Sequence, residues 1–135
     1  MESPTQVRYA VAALWISLGL ITVQVAASQI LSRHGGLDLA SWAWLVAATA
    51  IEAWLIYLTS HRKNWARIVI SGLSALSIAA GVLGYAYFPE AIANDPWWSN
   101  LLYIGNEVAE IAAIIWLFSR PSNQWFGRLE VKGAF

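Results

Sequence analysis

The chain has 135 residues, of which 59% are hydrophobic and 12% are charged, and its formal net charge is zero. Average soluble domains contain about 25% charged residues, so this composition argues against a soluble globular domain. A zero net charge provides no global field that would attract nucleic acid. The chain has no Cys, which excludes disulfides, thiol nucleophiles and thiolate metal sites.

Four apolar stretches account for the hydrophobic excess, and each is near the roughly 20 residues that cross a bilayer as a helix. Ser3 followed by Pro4 is typical of a helix N-terminus, so the first helix should begin before its apolar stretch. The predicted fold class is all-α: one integral membrane domain over 1–135, an antiparallel bundle of four transmembrane helices. The predicted spans are 11–31, 39–58, 68–88 and 101–118, followed by a cytoplasmic interfacial tail over 119–135.

Basic residues are distributed unevenly between the two sides of the predicted bundle. With a cytoplasmic N-terminus, seven basic residues lie on the inner side and only Arg33 lies on the outer side. The positive-inside rule therefore predicts that both termini are cytoplasmic. The inner residues are Arg8, Arg62, Lys63, Arg67, Arg120, Arg128 and Lys132.

The C-terminal tail combines cations with large aromatic residues. Arg120, Arg128 and Lys132 are interleaved with Trp125 and Phe126. This combination predicts a tail that lies on the anionic cytoplasmic leaflet, where cations and interfacial rings are both stabilised. Docking to a protein partner is the alternative.

Two short motifs at the predicted inner boundary carry a resemblance to a known family. They are His61-Arg62-Lys63-Asn64-Trp65-Ala66-Arg67 and Pro121-Ser122-Asn123-Gln124-Trp125-Phe126. With them the chain resembles an uncharacterised family of small four-span bacterial inner-membrane proteins that have a basic Asn-Trp-Ala-Arg loop and a Pro-x-x-x-Trp-Phe tail. Arg62 stands where members of that family often have Gly. The resemblance implies a bacterial inner-membrane location, and it implies no reaction.

Three glutamates inside the predicted spans are the strongest functional candidates. An ionisable residue near the bilayer centre costs at least about 2.5 kcal/mol on insertion scales, so Glu52, Glu107 and Glu110 should point away from lipid. The rise of a helix places them at similar depths, where they can converge on one midplane polar cluster. The other candidate members are Gln24, Tyr103 and Asn106, with the hydroxyls of Thr22, Thr49, Ser74 and Ser77.

Three interpretations of this polar cluster remain open. Protonated carboxyls can hydrogen-bond between helices and only stabilise the bundle. Three acids without an intramembrane Lys or Arg can instead hold a proton or another cation. A basic residue of a partner protein is the third possibility. Both His34 and His61 lie away from the midplane, so neither a metal site nor a cofactor is predicted.

Small residues recur at four-residue spacing on the third and fourth spans. Such spacing lets two helix backbones approach closely. It predicts either a tight bundle or association with a second copy or another membrane protein. The predicted packing residues are Ser77, Gly81 and Gly84 on the third span, with Gly105 and Ala109 on the fourth.

Two function classes follow from these features. The first is a small inner-membrane protein without its own catalytic chemistry, serving as an accessory, assembly or scaffold subunit. The alternative is a minimal proton-linked or cation-linked transporter or channel that uses the acidic cluster. The sequence favours the first class, because all three acids can be explained structurally, and no enzymatic motif is present. The expected partners are the lipid bilayer, a second copy or another membrane protein, and for the alternative a proton or cationic ligand, but no nucleic acid.

Overall fold

A computed structural model describes residues 2–31 and 38–127, and every regular element within these residues is a helix. Four of the helices, α1, α2, α3 and α5, are long and apolar enough to cross a membrane. The predicted all-α class and the four long apolar helices are thus confirmed. The helices are α1 (Thr5–Leu31), α2 (Leu39–Ser60), α3 (Asn64–Tyr87), α4 (Pro89–Ala93), α5 (Trp97–Leu117) and α6 (Arg120–Gly127). Arg33, His34, Arg128 and Lys132 lie outside the described residues.

The first long helix begins well before the apolar stretch that predicted it. It starts at Thr5, and the backbone amides of Val7 and Arg8 donate to the carbonyl oxygen of Pro4 at 3.0 and 3.2 Å. Proline suits this position because its fixed φ is already helical and its missing N–H would have no partner there. The early start moves the midpoint of α1 from residue 21 of the predicted span to residue 18.

The four long helices form a closed ring around one core. Helix α1 packs against α2 and α5, helix α3 also packs against α2 and α5, and the α1–α5 interface is the most extensive. Leu14, Ile56, Ile70 and Leu117 are among the fully buried side chains at its centre. Many large apolar side chains face outward instead, including Ile16, Val46, Leu76 and Ile115. The domain therefore has an apolar outer surface and encloses several polar side chains.

Only some of the small residues predicted to pack helices do so within this chain. A Cβ at Gly81 would overlap the side chain of Tyr103, and a Cβ at Gly105 would lie 3.3 Å from Leu20 Cδ1. A Cβ at Gly84 would meet nothing within 4 Å. Gly81 thus admits the Tyr103 ring between α3 and α5, whereas Gly84 leaves its face of α3 open.

The short helix α6 folds back onto the bundle, where a buried arginine holds it. Arg67 on α3 is 8% exposed, and its Nη1 donates to the Leu117 carbonyl oxygen at 3.2 Å and to Asn123 Oδ1 at 2.8 Å. Its guanidinium lies 4.8 Å from the Phe118 ring centroid and 4.5 Å from that of Phe126. One cation therefore connects α3, the end of α5 and α6.

A second arginine reaches α6 from the turn between α2 and α3. Arg62 Nη2 donates to the Trp125 carbonyl oxygen at 2.6 Å, and its guanidinium lies 4.8 Å from the Trp125 ring centroid. Arg62 has φ 65°, in the left-handed region. A non-glycine residue there costs about 1–2 kcal/mol, a cost that Gly would not carry. The two contacts with Trp125 offset this strain.

The contacts of both arginines join the two motifs that carry the family resemblance. We call this group the α6 clamp, which comprises Arg62, Arg67, Asn123, Trp125 and Phe126. Its two rings are only 6% and 1% exposed, so they point into the bundle. This differs from the expectation that Trp125 and Phe126 lie on the leaflet surface. The reason is that the guanidinium groups of Arg62 and Arg67 lie over the two rings, and the end of the bundle covers the rest of their surface.

Candidate functional site

Two helices bring three polar side chains into direct contact inside the bundle. Asn106 and Glu110 lie one turn apart on the same face of α5, and Ser17 faces them from α1. Ser17 Oγ donates to Asn106 Oδ1 at 2.7 Å and lies 3.2 Å from Glu110 Oε1. Asn106 Nδ2 donates to the same Glu110 oxygen at 3.4 Å. A serine has a single hydroxyl proton, so the geometry also permits Glu110 Oε1 to donate a proton of its own.

The second carboxyl oxygen of Glu110 has no such partners. Glu110 is 6% exposed, and its Oε2 is buried without a hydrogen-bond partner. Leaving a buried acceptor unsatisfied costs about 1–3 kcal/mol, and more when the group is charged. Glu110 also lines a partly open cavity of about 340 Å³, which we call the acidic cavity and to which all four long helices contribute residues. An unsatisfied acid thus adjoins a volume large enough for a ligand.

A second glutamate lines the acidic cavity from the opposite side. Glu52 on α2 is close enough to Glu110 for their charges to interact. Two negative charges in one low-dielectric volume repel each other, so the pair favours a bound proton or another cation. The remaining lining residues are Asn106, Ser74 and Ser77, with apolar walls from Ile21, Trp44, Ala48, Ile51, Ile70 and Leu73.

A larger groove between α1 and α2 leads to the same glutamate. Its volume is about 510 Å³, and it extends from Ser41 near the start of α2 to Glu52. Thr22 and Thr49 lie 3.5 Å apart across it, with one hydroxyl donating to the other. The groove and the acidic cavity share the lining residues Ile21, Trp44, Ala48 and Glu52. Glu52 therefore stands at the junction of the two volumes.

Glu107, the third glutamate of the predicted cluster, lies on a different cavity. Glu107 and Tyr103 line a volume of about 340 Å³ between α3 and α5, and the Tyr103 hydroxyl approaches the Glu107 carboxyl. Gly81 and Tyr85 belong to the same lining, with the Tyr85 and Tyr103 ring centroids 6.2 Å apart. Glu107 is near enough to Glu110 for their charges to interact. The three acids therefore divide into a pair on one cavity and a single acid on another.

Only some of the other predicted members of the polar cluster come together. Gln24 Nε2 donates to Ser99 Oγ at 3.1 Å, which joins α1 to the first turn of α5 beyond the acidic cavity. Ser74 and Ser77, whose hydroxyls are predicted members of the cluster, line the acidic cavity, and Ser77 is also a predicted packing residue. Ala109, one turn after Gly105, is half-buried. The structure thus assembles Glu52, Asn106 and Glu110 and leaves Gln24 apart.

Ser17 was not predicted, although it makes the shortest hydrogen bond to the site. The midpoint of the apolar stretch lies three residues away from the true midpoint of α1. At 1.5 Å per residue this is an error of about 4.5 Å, nearly one helical turn. Counting from the helix start that Pro4 marks would have brought Ser17 to the depth of Glu110.

The chemistry of this site must be judged from its own residues. No family model, curated protein or solved structure matches the chain. Among residues 2–31 and 38–127, no group of three or more His, Asp or Glu side chains is arranged to hold a metal ion. The acidic cavity offers two carboxyls, one amide and hydroxyl groups, which suit a proton or a singly charged cation.

Proposed function

We propose that the protein is a small integral membrane protein that binds a proton or another cation between Glu52 and Glu110 and acts as a minimal transporter or channel. The observation that carries this proposal is the buried Glu110 Oε2, which has no hydrogen-bond partner beside a cavity shared with Glu52. Buried polar groups with a purely structural role normally have hydrogen-bond partners. Glu107 Oε1 is also buried without a partner, but its cavity is lined by no second carboxyl, whereas Glu110 shares its cavity with Glu52.

The proposed setting is a bacterial inner membrane, with the bundle antiparallel and both termini cytoplasmic. Support comes from the apolar outer surface of the four long helices and from the clustering of cations near the α6 clamp. Of the described basic residues, Arg62, Arg67 and Arg120 lie at or beside this end, which the positive-inside rule assigns to the cytoplasm. The bacterial assignment comes from the resemblance of the two motifs.

The proposed working step is an exchange at the carboxyl pair. A proton on one glutamate relieves the repulsion between them, and an incoming cation can replace that proton. No Lys or Arg is among the described residues that line the acidic cavity, so no fixed positive charge competes with the exchange. The α1–α2 groove provides the approach to Glu52, while Arg67 and α6 cover the other end of the bundle.

Flux measurements in proteoliposomes test this function. A trapped pH-sensitive dye reports proton movement after a potassium diffusion potential is imposed, and a cation that displaces a carboxyl proton also produces a proton signal. We expect wild-type protein to give flux well above protein-free vesicles and Glu110→Gln to abolish it. Glu90→Gln, the same change at an exposed acid on α4 that lines none of these cavities, is the matched control and should retain flux. Wild-type flux at the protein-free level, or full flux in Glu110→Gln, would overturn the proposal.

An accessory, assembly or scaffold subunit is the second candidate, and one observation favours it. Gly72, Ala75 and Ala79 are exposed on one face of α3, and Gly84 meets no neighbouring side chain. A face of small residues lets another helix approach closely, which fits a second copy or a membrane-protein partner. The mass of the particle in mild detergent tests this. Gly72→Leu should reduce an assembled species to the monomer if the face is an interface.

A further inference from the structure

We propose that the ligand of this site is a lipophilic organic cation, which enters along the α1–α2 groove and places its charge between Glu52 and Glu110. This inference rests on the proposed cation site and narrows the class of ligand. The proposed ligand is an apolar molecule of drug-like size that carries one dispersed positive charge.

The size of the two volumes and the residues that they share support a large ligand. The groove measures about 510 Å³ and the acidic cavity about 340 Å³, and Ala48 and Glu52 line both. Pockets for drug-sized molecules measure about 300–1,000 Å³. A proton or a single inorganic ion would use only a small part of this space.

The chemistry of the walls also favours an organic cation. Half of the residues that line the groove are aliphatic, among them Leu18, Val25 and Leu45. Inorganic cations need several oxygen ligands to replace their hydration shell. Of the oxygen-bearing side chains in the groove, Thr22 and Thr49 already hydrogen-bond to each other, and Ser41 hydrogen-bonds to Asp38. A lipophilic cation loses little hydration and gains about 25 cal/mol for each Å² of apolar surface that it buries. Apolar walls that end at two carboxyls match both parts of such a molecule.

One aromatic side chain is placed to contact the charge on its way to the glutamates. Trp44 lines both the groove and the acidic cavity, about two helical turns before Glu52 on α2. Trp44 is 75% exposed, so a ligand can reach it. Tryptophan is the aromatic side chain that attracts cations most strongly. Trp44 therefore marks the entrance to the acidic cavity.

Binding of the cation should displace a proton from the Glu52 and Glu110 carboxyl pair. Few other titratable groups face the site. Glu52 approaches Glu110 from α2, and Glu107 approaches it from its own helix. Helix α1 presents Ser17 and helix α3 presents Ser74, and neither group titrates. The affinity for the cation should therefore rise with pH, by up to about tenfold per pH unit for each proton displaced.

Equilibrium binding of radiolabelled tetraphenylphosphonium to the protein in zwitterionic nanodiscs tests the inference. We expect saturable binding that the uncharged analogue triphenylphosphine oxide does not displace. Glu52→Gln and Glu110→Gln should each weaken binding at least tenfold. Trp44→Leu should weaken it about three- to thirty-fold, the range of cation–π contacts from exposed to desolvated sites. Trp97→Leu is the matched control, since Trp97 is 77% exposed and lines neither volume.

A bulky residue at the junction tests the groove as the route of the ligand. Ala48→Phe should block tetraphenylphosphonium binding, because its ring fills space that the ligand must pass to reach both glutamates. Circular dichroism and gel filtration verify that each variant is folded, and Glu110→Asp, which keeps the charge, should retain measurable binding. Absence of saturable binding in wild-type protein that still shows Glu110-dependent flux would overturn the ligand class alone. Binding that is insensitive to Trp44→Leu and Ala48→Phe would overturn the groove as its route.

Discussion

The α6 clamp and the acidic cavity both bury an ionisable side chain, but they treat it differently. Arg67 is 8% exposed and Glu110 is 6% exposed. Arg67 donates to a carbonyl and an amide oxygen and lies against two aromatic rings. Glu110 has partners on one oxygen and none on the other, which is buried. The surroundings of a buried charge, rather than its burial, therefore distinguish a structural role from a candidate site.

The two motifs that carry the family resemblance contribute to the α6 clamp and not to the acidic cavity. Both motifs lie at the α6 clamp, where Arg62 and Arg67 contact Trp125 and Phe126. Neither motif supplies a residue to the acidic cavity. The resemblance thus follows the part of the chain that holds α6 in place, and it carries no information about a ligand.

The largest expected effect is the loss of the buried arginine. Arg67→Met keeps an apolar side chain of similar length but leaves the Leu117 carbonyl and Asn123 without their donor. Hydrogen bonds from a charged donor contribute about 1.5–3 kcal/mol, so the free energy of unfolding should fall by about 3 kcal/mol. Thermal unfolding in detergent measures this. Arg120→Met, which changes an exposed cation at the same end, should have little effect, and equal losses in both variants would contradict the structural role.

A smaller loss is expected where the Tyr103 ring lies against a glycine. Gly81→Leu forces the ring out of its position between α3 and α5, and overpacking of this kind costs about 1–3 kcal/mol. Gly84→Leu is the matched control on the same helix, since its face is open. Unfolding midpoints of the two variants decide the question. The prediction fails if Gly84→Leu is as destabilising as Gly81→Leu in monomeric protein.

The strained turn of the α6 clamp allows a paired test. Arg62→Ala removes both contacts with Trp125 and keeps a Cβ at φ 65°, whereas Arg62→Gly removes the contacts and the strain together. The Gly variant should therefore be more stable than the Ala variant by about 1 kcal/mol. Chemical unfolding in detergent can resolve such a difference. Equal stability of the two variants would show that the turn relaxes without its arginine.

The number of long helices and their approximate positions could be predicted, because each depends only on the composition and length of one segment of the sequence. Four apolar stretches predicted the four long helices that the structure contains. The rotation of each helix about its axis depends on its neighbours, which is why the separate cavity of Glu107 was not predicted. The position of Trp125 could not be predicted either, since interfacial rings suit a leaflet and a bundle end equally well.

A substitution of the buried acid in the acidic cavity should reduce the free energy of unfolding less than a substitution of the buried arginine in the α6 clamp. Glu110→Gln keeps the size and the hydrogen-bonding capacity of the side chain and removes only the ability to hold a proton or a negative charge. Because one carboxyl oxygen already lacks a partner, the free energy of unfolding should change by less than about 1 kcal/mol. Thermal unfolding of Glu110→Gln and of Arg67→Met under the same conditions compares the two losses of stability directly. A loss as large as that of Arg67→Met would make Glu110 a structural residue.

The smallest effect is expected at Asp38, an exposed acid that precedes α2 at the entrance to the groove. Its carboxyl accepts from Ser41 Oγ at 2.6 Å and from the Ala40 and Ser41 amides at 3.2 and 3.3 Å. The Ser41 hydroxyl, followed by the Ala40 amide, lowers the pKa of Asp38 below its ordinary value of 3.8. A lowered pKa in the folded state means that this acid stabilises the protein above that ordinary value, and that the contribution is lost as the pH falls through the folded pKa.

Asp38→Ala should therefore lower the unfolding midpoint slightly at neutral pH, and its difference from wild type should vanish in the acid range below pH 3.8. Taking that difference cancels the titration of the other acids, so a gap between the two proteins that persists under strongly acidic conditions would show that the charged cap is not its source.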